Sequence, residues 1–254
     1  MSRSPSRPRP ERGGRLPVGV VRGRRLERSF ALAPPAADAA LLALDFTRPR
    51  EALLSDALAL VIERVGRVER PGAEVLHALT LADRHALVRD ALVVSGRPAI
   101  DAVATCDGCG KQFELAFDLC AVVLPNVDPR TTAVRLPTAA DVERARDDLD
   151  LLAALLQCSR NGAERARESA EDMIAGADPL GTLVIESACP ECGASVRAEA
   201  DLAGSWLETL RRRASALIDD VHVLATRYHW SESEILALPA SRRIAYLELI
   251  EAER

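Results

Sequence analysis

The chain has 254 residues, enough for one large domain or two small ones. Hydrophobic residues make up 48% of it but aromatic residues only 3%, so the core must be built from Leu, Ala, Val and Ile, and the Leu and Ala excess favours helix. The formal charge is −5, with nine arginines against two glutamates in residues 1–29 and a net −12 in the remainder. An acidic body argues against nucleic acid as a partner, and no apolar run is long enough to span a membrane.

Residues 1–29 are rich in Arg, Pro, Ser and Gly, offer little to bury and read as a disordered arm. No apolar segment follows the basic start, so no secretory signal is expected and the protein is expected to be cytoplasmic. In that compartment six cysteines are poor evidence for disulfides.

"REALLSDALALVIERVG" places Leu53, Leu54, Ala57, Leu60, Val61 and Val65 at helical spacing, with Gly66 as a stop. Residues 67–79 read as irregular around Pro71-Gly72. A helix then opens at Thr80, with Asp83 three positions on, and ends at Gly96. Residues 99–105 alternate weakly toward Cys106, while Phe113, Leu115, Phe117 and Leu119 alternate as a half-buried strand.

The pattern then restarts. "LPTAAD" at Leu136 echoes "LAPPAAD" at Leu32, and Thr138 with Asp141 predicts another helix start. "DLLAALLQCSRNG" and a stretch around 163–175 read as helices, and "GTLVIESAC" and "ASVRAEADL" as paired strands. The spacing therefore predicts two diverged units, each of helices followed by a cysteine hairpin. A long amphipathic helix follows from about Leu202 to Tyr228, with Trp206, Leu210, Leu217, Val221 and Leu224 on its apolar side. Two short helices close the chain; Ser231 with Glu234 forms a capping box for the first, and Pro239 divides them.

"CDGCG" at Cys106 and "CPECG" at Cys189 carry the chemistry. A Cys-x-x-Cys turn aims two thiolates at one point, and the trailing Gly110 or Gly193 allows a positive φ. Neither pair fills a four-ligand shell alone. Cys106, Cys109, Cys189 and Cys192 together would make a Cys₄ structural zinc site, with the second unit's helices inserted between the ribbon halves. A thiol oxidoreductase would place its pair at a helix N-terminus, whereas both pairs here lead into strand-like sequence. A metal-free remnant, with the thiols buried as small hydrophobes, is the plain alternative.

Cys120 and Cys158 lack partners at ligand spacing and read as core fillers; His77, His85, His222 and His229 are scattered. No serine triad, phosphate loop or His-Glu-x-x-His is present, and Asp147-Asp148-Leu149-Asp150 reads as a solvated helix face, so no enzymatic activity is expected.

"ALTLADRHALVRDALVVSGRPAIDAVATCDGCGKQFELAFDL" resembles the zinc-ribbon segment of the T-even-type baseplate hub assembly chaperone family of contractile phage tails, whose relatives accompany phage-like contractile injection systems. "LPTAAD" and "LAPPAAD" resemble the family's segment before its helices, and "VHVLATRYHWSESEILALPASRRIAYLELI" is similar to short tail-assembly proteins. In pieces, the resemblance covers roughly residues 30–254. It implies a non-catalytic assembly factor, or a minor component of the particle, with tail or baseplate proteins as partners. By position the ribbon cysteines are Cys106, Cys109, Cys189 and Cys192. The competing expectation is a nucleic-acid-binding zinc-ribbon regulator, supported by the ribbon and the arginine-rich arm.

The expected fold is α+β and mainly α: two helix-plus-hairpin units sharing a zinc ribbon, then the long helix and two short ones. The expected divisions are an arm at 1–29, a helical body with the split ribbon at 30–202, and a C-terminal helical segment at 203–254. Trp230 and Tyr228 are candidate contact anchors; the simpler expectation is that they pack the last helices together.

Overall fold

A computed structural model describes residues 13–33, 37–181 and 183–252. It opens with an ordered hairpin in place of most of the expected arm: β1 (Gly13–Arg22) and β2 (Arg25–Leu32) pair antiparallel. The first 12 residues of that arm lie outside the described ones. The physical reason is an alternation hidden under the arginines. Leu16, Val18, Phe30 and Leu32 face inward and are buried, and Gly23 turns the chain at φ +60°.

After α1 (Asp38–Leu42) comes α2 (Arg50–Val61). This helix stops short of Gly66, because Ile62–Val65 forms β3 against β2. Val61, Ile62 and Val65 are β-branched, and Ile62 and Val65 gain burial in the sheet that a continued helix would not give them. β4 (Val68–Glu69) completes an antiparallel sheet in the order β1-β2-β3-β4. The segment expected to be irregular also contains α3 (Ala73–His77).

α4 (Leu81–Val94) starts where Thr80 predicts, and the Thr80 hydroxyl accepts the Asp83 N–H at 3.3 Å. Asp83 does not close a capping box on the Thr80 backbone N–H. Its carboxylate instead accepts the N–H of Val18 at 2.9 Å and that of Gly19 at 2.9 Å, tying α4 to β1. Burial pushes the Asp83 carboxyl up to about 6 in spite of these donors.

β5 (Ala99–Thr105) and β6 (Gln112–Asp118) form the first cysteine hairpin, followed by a single 3₁₀ turn at Leu119–Ala121. The second half supplies α5 (Ala139–Arg144), α6 (Asp148–Leu156) and α7 (Arg160–Ala177). The second hairpin is β7 (Leu183–Ala188) with β8 (Ser195–Ala200). The two hairpins match closely, whereas the four-stranded sheet has no counterpart among the described residues of the second half. The start of α5 meets the start of α4 directly: Thr138 and Thr80 form an antiparallel bridge, and the Leu81 N–H donates to the Pro137 carbonyl at 2.8 Å.

The main core lies where β2, β3, α2 and α4 meet both hairpins and the first turns of α8 (Leu202–Tyr228). Leu54, Leu58, Leu87, Leu119, Leu180 and Leu202 are almost wholly buried there. Helices α6 and α7 close over a smaller cluster of their own around Leu152, Leu155, Ala163 and Ala170. α8 begins within one residue of the expected division at 203 and runs unbroken from the main core to a separate C-terminal cluster of Leu224, Ile235 and Ile250. That cluster includes α9 (Glu232–Ala237) and α10 (Ala240–Ala252). The fold is thus α+β and rich in helix. No helix among the described residues is long and apolar enough to cross a membrane.

Candidate metal centre

Each hairpin ends in the same turn. In the first, the Cys106 N–H donates to the Lys111 carbonyl at 2.9 Å and the Gly110 N–H to the Cys106 carbonyl at 2.7 Å. In the second, Cys189 and Ala194 make the first bond at 2.8 Å, and Gly193 and Cys189 the second at 2.9 Å. Gly110 at φ +70° and Gly193 at φ +74° take the left-handed conformation this curl requires. At the tip of the first turn, a Cβ on Gly108 would meet the Ala194 side chain at 3.3 Å and the sulfurs of Cys106 and Cys192 at 3.6 Å. Gly108 therefore lets the two turns approach.

The turns bring all four predicted cysteines together. Cys106 Sγ lies 3.6 Å from Cys192 Sγ, and Cys109 Sγ lies 3.7 Å from Cys189 Sγ. All four sulfurs fall within 4.8 Å of one another. A disulfide needs about 2.05 Å, so neither close pair is bonded. A tetrahedron with metal–sulfur bonds of about 2.3 Å has edges of about 3.8 Å, and the sulfur separations fit such a shell. Cys106 and Cys189 are buried, Cys109 and Cys192 exposed, so the group sits at the rim of the hairpin cluster. Ala104, Leu115, Ile185 and Val196 pack beneath it.

Backbone donors and facing thiols pull the sulfurs in opposite directions. Backbone N–H groups of Cys192 and Glu191 point at the Cys189 sulfur and draw its thiol down to about 7. The N–H of Lys111 acts likewise on Cys109, but burial and the three facing thiols outweigh it and push that thiol up to about 12. Cys192 receives the Ala194 N–H and is nonetheless raised, chiefly by the facing Cys106 thiol. Cys189 thus gives up its proton more readily than Cys109 or Cys192, whose protons a bound cation would displace. The four cysteines thus form a group able to hold a metal ion. Each pair leads into a strand, β6 or β8, and not into a helix N-terminus.

The remaining candidates are dispersed. Cys120 and Cys158, expected in the core, are both exposed; Cys158 follows the end of α6, where Gln157 has already turned left-handed at φ +52°. His85 bonds Asp178 at 2.8 Å, and His77 lies between Ser55 at 3.1 Å and Glu143 at 3.3 Å, so both are satisfied structural side chains. Asp147 caps α6, and Asp147 and Asp150 both pair with Arg160. Tyr228 stacks on Trp230 at 4.8 Å, and Tyr246 meets Trp230 edge-on at 5.0 Å, so these rings pack the last helices together. Sequence reasoning missed the arginine face of the N-terminal sheet. Its signal was the alternation of Leu16, Val18 and Val20 between Arg15 and Arg22.

No protein-family model matches the chain, and searches of curated proteins and of solved structures likewise find no match.

Proposed function

We propose that the chain is a non-catalytic, zinc-clamped scaffold that assists assembly of a contractile phage-type tail baseplate or injection system, or forms a minor part of one. The observation that carries the structural half is the meeting of two cysteine pairs from hairpins 83 residues apart. Four thiolates suit zinc above harder cations, and they fill a tetrahedral shell with no position left for substrate. Ligation then contributes folding free energy, because the shell exists only when both hairpins are in place. The assembly half is supported by the resemblance of the 78–119, 136–141 and 221–250 segments to tail-assembly proteins, and it sets the partners as tail or baseplate proteins acting in the cytoplasm. C-terminal residues Ile218, Ile244 and Leu249 are exposed apolar side chains available for such contacts.

Two measurements test the reading. Elemental analysis of the purified chain should give one zinc per molecule. Deleting the gene from a strain that makes such particles should abolish or sharply reduce them, whereas particles of normal number and form would overturn the assembly role.

A further inference from the structure

The outer face of the N-terminal sheet concentrates positive charge on an otherwise acidic protein. Residues 13–33 and 62–70 carry eight arginines against three glutamates, although the whole chain is net −5. Arg15, Arg25, Arg28, Arg64 and Arg67 surround a hollow of about 640 Å³, with Glu27 as its sole carboxylate. Some of this charge is used internally. Arg67 pairs with Glu27 at 3.1 Å, Arg64 donates to the Gly66 carbonyl at 2.6 Å, and Arg28 bonds the carbonyls of Val18 and Val127. Arg15 and Arg25 are exposed and have no partner among the described residues. The strands fix where both side chains start, and each planar guanidinium can engage a carboxylate in the two-pronged way it favours.

We propose that this face docks a short acidic segment of a partner polypeptide. The proposal rests on the assembly reading and names the chemistry of its partner. Two observations favour an acidic peptide over nucleic acid. No aromatic side chain lines the hollow, so bases would have nothing to stack on. Among the described residues the patch is also confined to one small sheet, and a longer polyanion would extend over their acidic remainder within the range where charges are felt, about 10 Å. A short acidic segment ends before reaching it.

The test uses the full chain and a fluorescein-labelled deca-glutamate peptide, read by fluorescence anisotropy, with a ten-nucleotide oligothymidylate as the comparison probe. The peptide should bind at low salt, weaken as salt rises, and bind more tightly than the oligonucleotide. Arg15→Glu with Arg25→Glu should weaken it about ten-fold or more while metal content and thermal midpoint stay unchanged. Replacing Arg3, Arg7, Arg9 and Arg12 with serine should leave binding within about two-fold. Failure of the peptide to bind, undiminished binding by the double variant, dependence on the four N-terminal arginines, or equal binding of the oligonucleotide would each overturn the proposal. None of these results alters zinc content or particle formation, so failure here is distinguishable from failure of the assembly reading.

Discussion

The two cysteine hairpins begin alike and end differently. Equivalent positions lie 83 residues apart: Ile100 and Leu183 enter the main core, Cys106 and Cys189 are buried at the turns, and Leu119 and Leu202 return to the main core almost wholly buried. An aspartate precedes each returning leucine and caps the turn that the leucine opens: Asp118 accepts the Cys120 N–H, and Asp201 accepts the Gly204 N–H. Beyond that point the first hairpin leads only into a three-residue 3₁₀ turn, whereas the second launches a 27-residue helix. The same cap therefore starts a long helix only where the next residues sustain it. Val122, Val123 and Pro125 stop the first; Trp206, Leu207, Leu210 and Ala214 continue the second along one buried stripe.

The largest expected effect probes whether the hairpins share one ion. Cys109→Ser and Cys192→Ser should each remove the proposed zinc, because each leaves only three thiolates. Ligation in small zinc modules is worth on the order of 10 kcal/mol, so both variants and chelator-treated wild type should melt well below the loaded protein. Calorimetry with metal analysis checks this; retention of a full zinc equivalent by one variant alone would break the equivalence of the halves.

Next in size is truncation of the returning leucines. Leu119→Ala and Leu202→Ala should each cost about 2–5 kcal/mol in denaturant unfolding, since both are buried in one core. A much smaller loss at one position would show that the two returns do not bear equally on the fold. The smallest effect separates the halves. Asp201→Ala should cost about 1 kcal/mol by removing the cap of the long helix, and it also frees Arg50, which Asp201 holds at 2.6 Å. Asp118→Ala, which caps one short turn, should cost only a few tenths of a kcal/mol in the same assay.

The four-cysteine group was legible in the sequence because its information is local: two Cys-x-x-Cys-Gly turns, each with its alternating strand, can be read one at a time. The long helix was legible from the spacing of Trp206, Leu217 and Leu224. The N-terminal sheet was not, because Arg, Gly and Pro dominate its composition and mask an inward alternation of only a few residues. At Val61–Val65 the apolar residues satisfy helical spacing too, and only pairing with Phe30 and Leu32 decides for strand. The partner of Asp83 lies on β1, 65 residues away, so the sequence assigned that carboxylate to its own helix cap. Equally hidden was the meeting of Thr80 with Thr138, which joins two helix starts across the first hairpin.

The position of α5, α6 and α7 between the ligand pairs has a topological consequence. Four sulfurs on one ion would close 79 intervening residues into a ring, a non-covalent staple across a long excursion of the chain. Ring-closure entropy grows only slowly with length, so that excursion could lengthen or shorten at small thermodynamic penalty. A backbone nick within it would leave both fragments riveted at the sulfurs, so that the ion would do for the cut chain what the peptide bond did before.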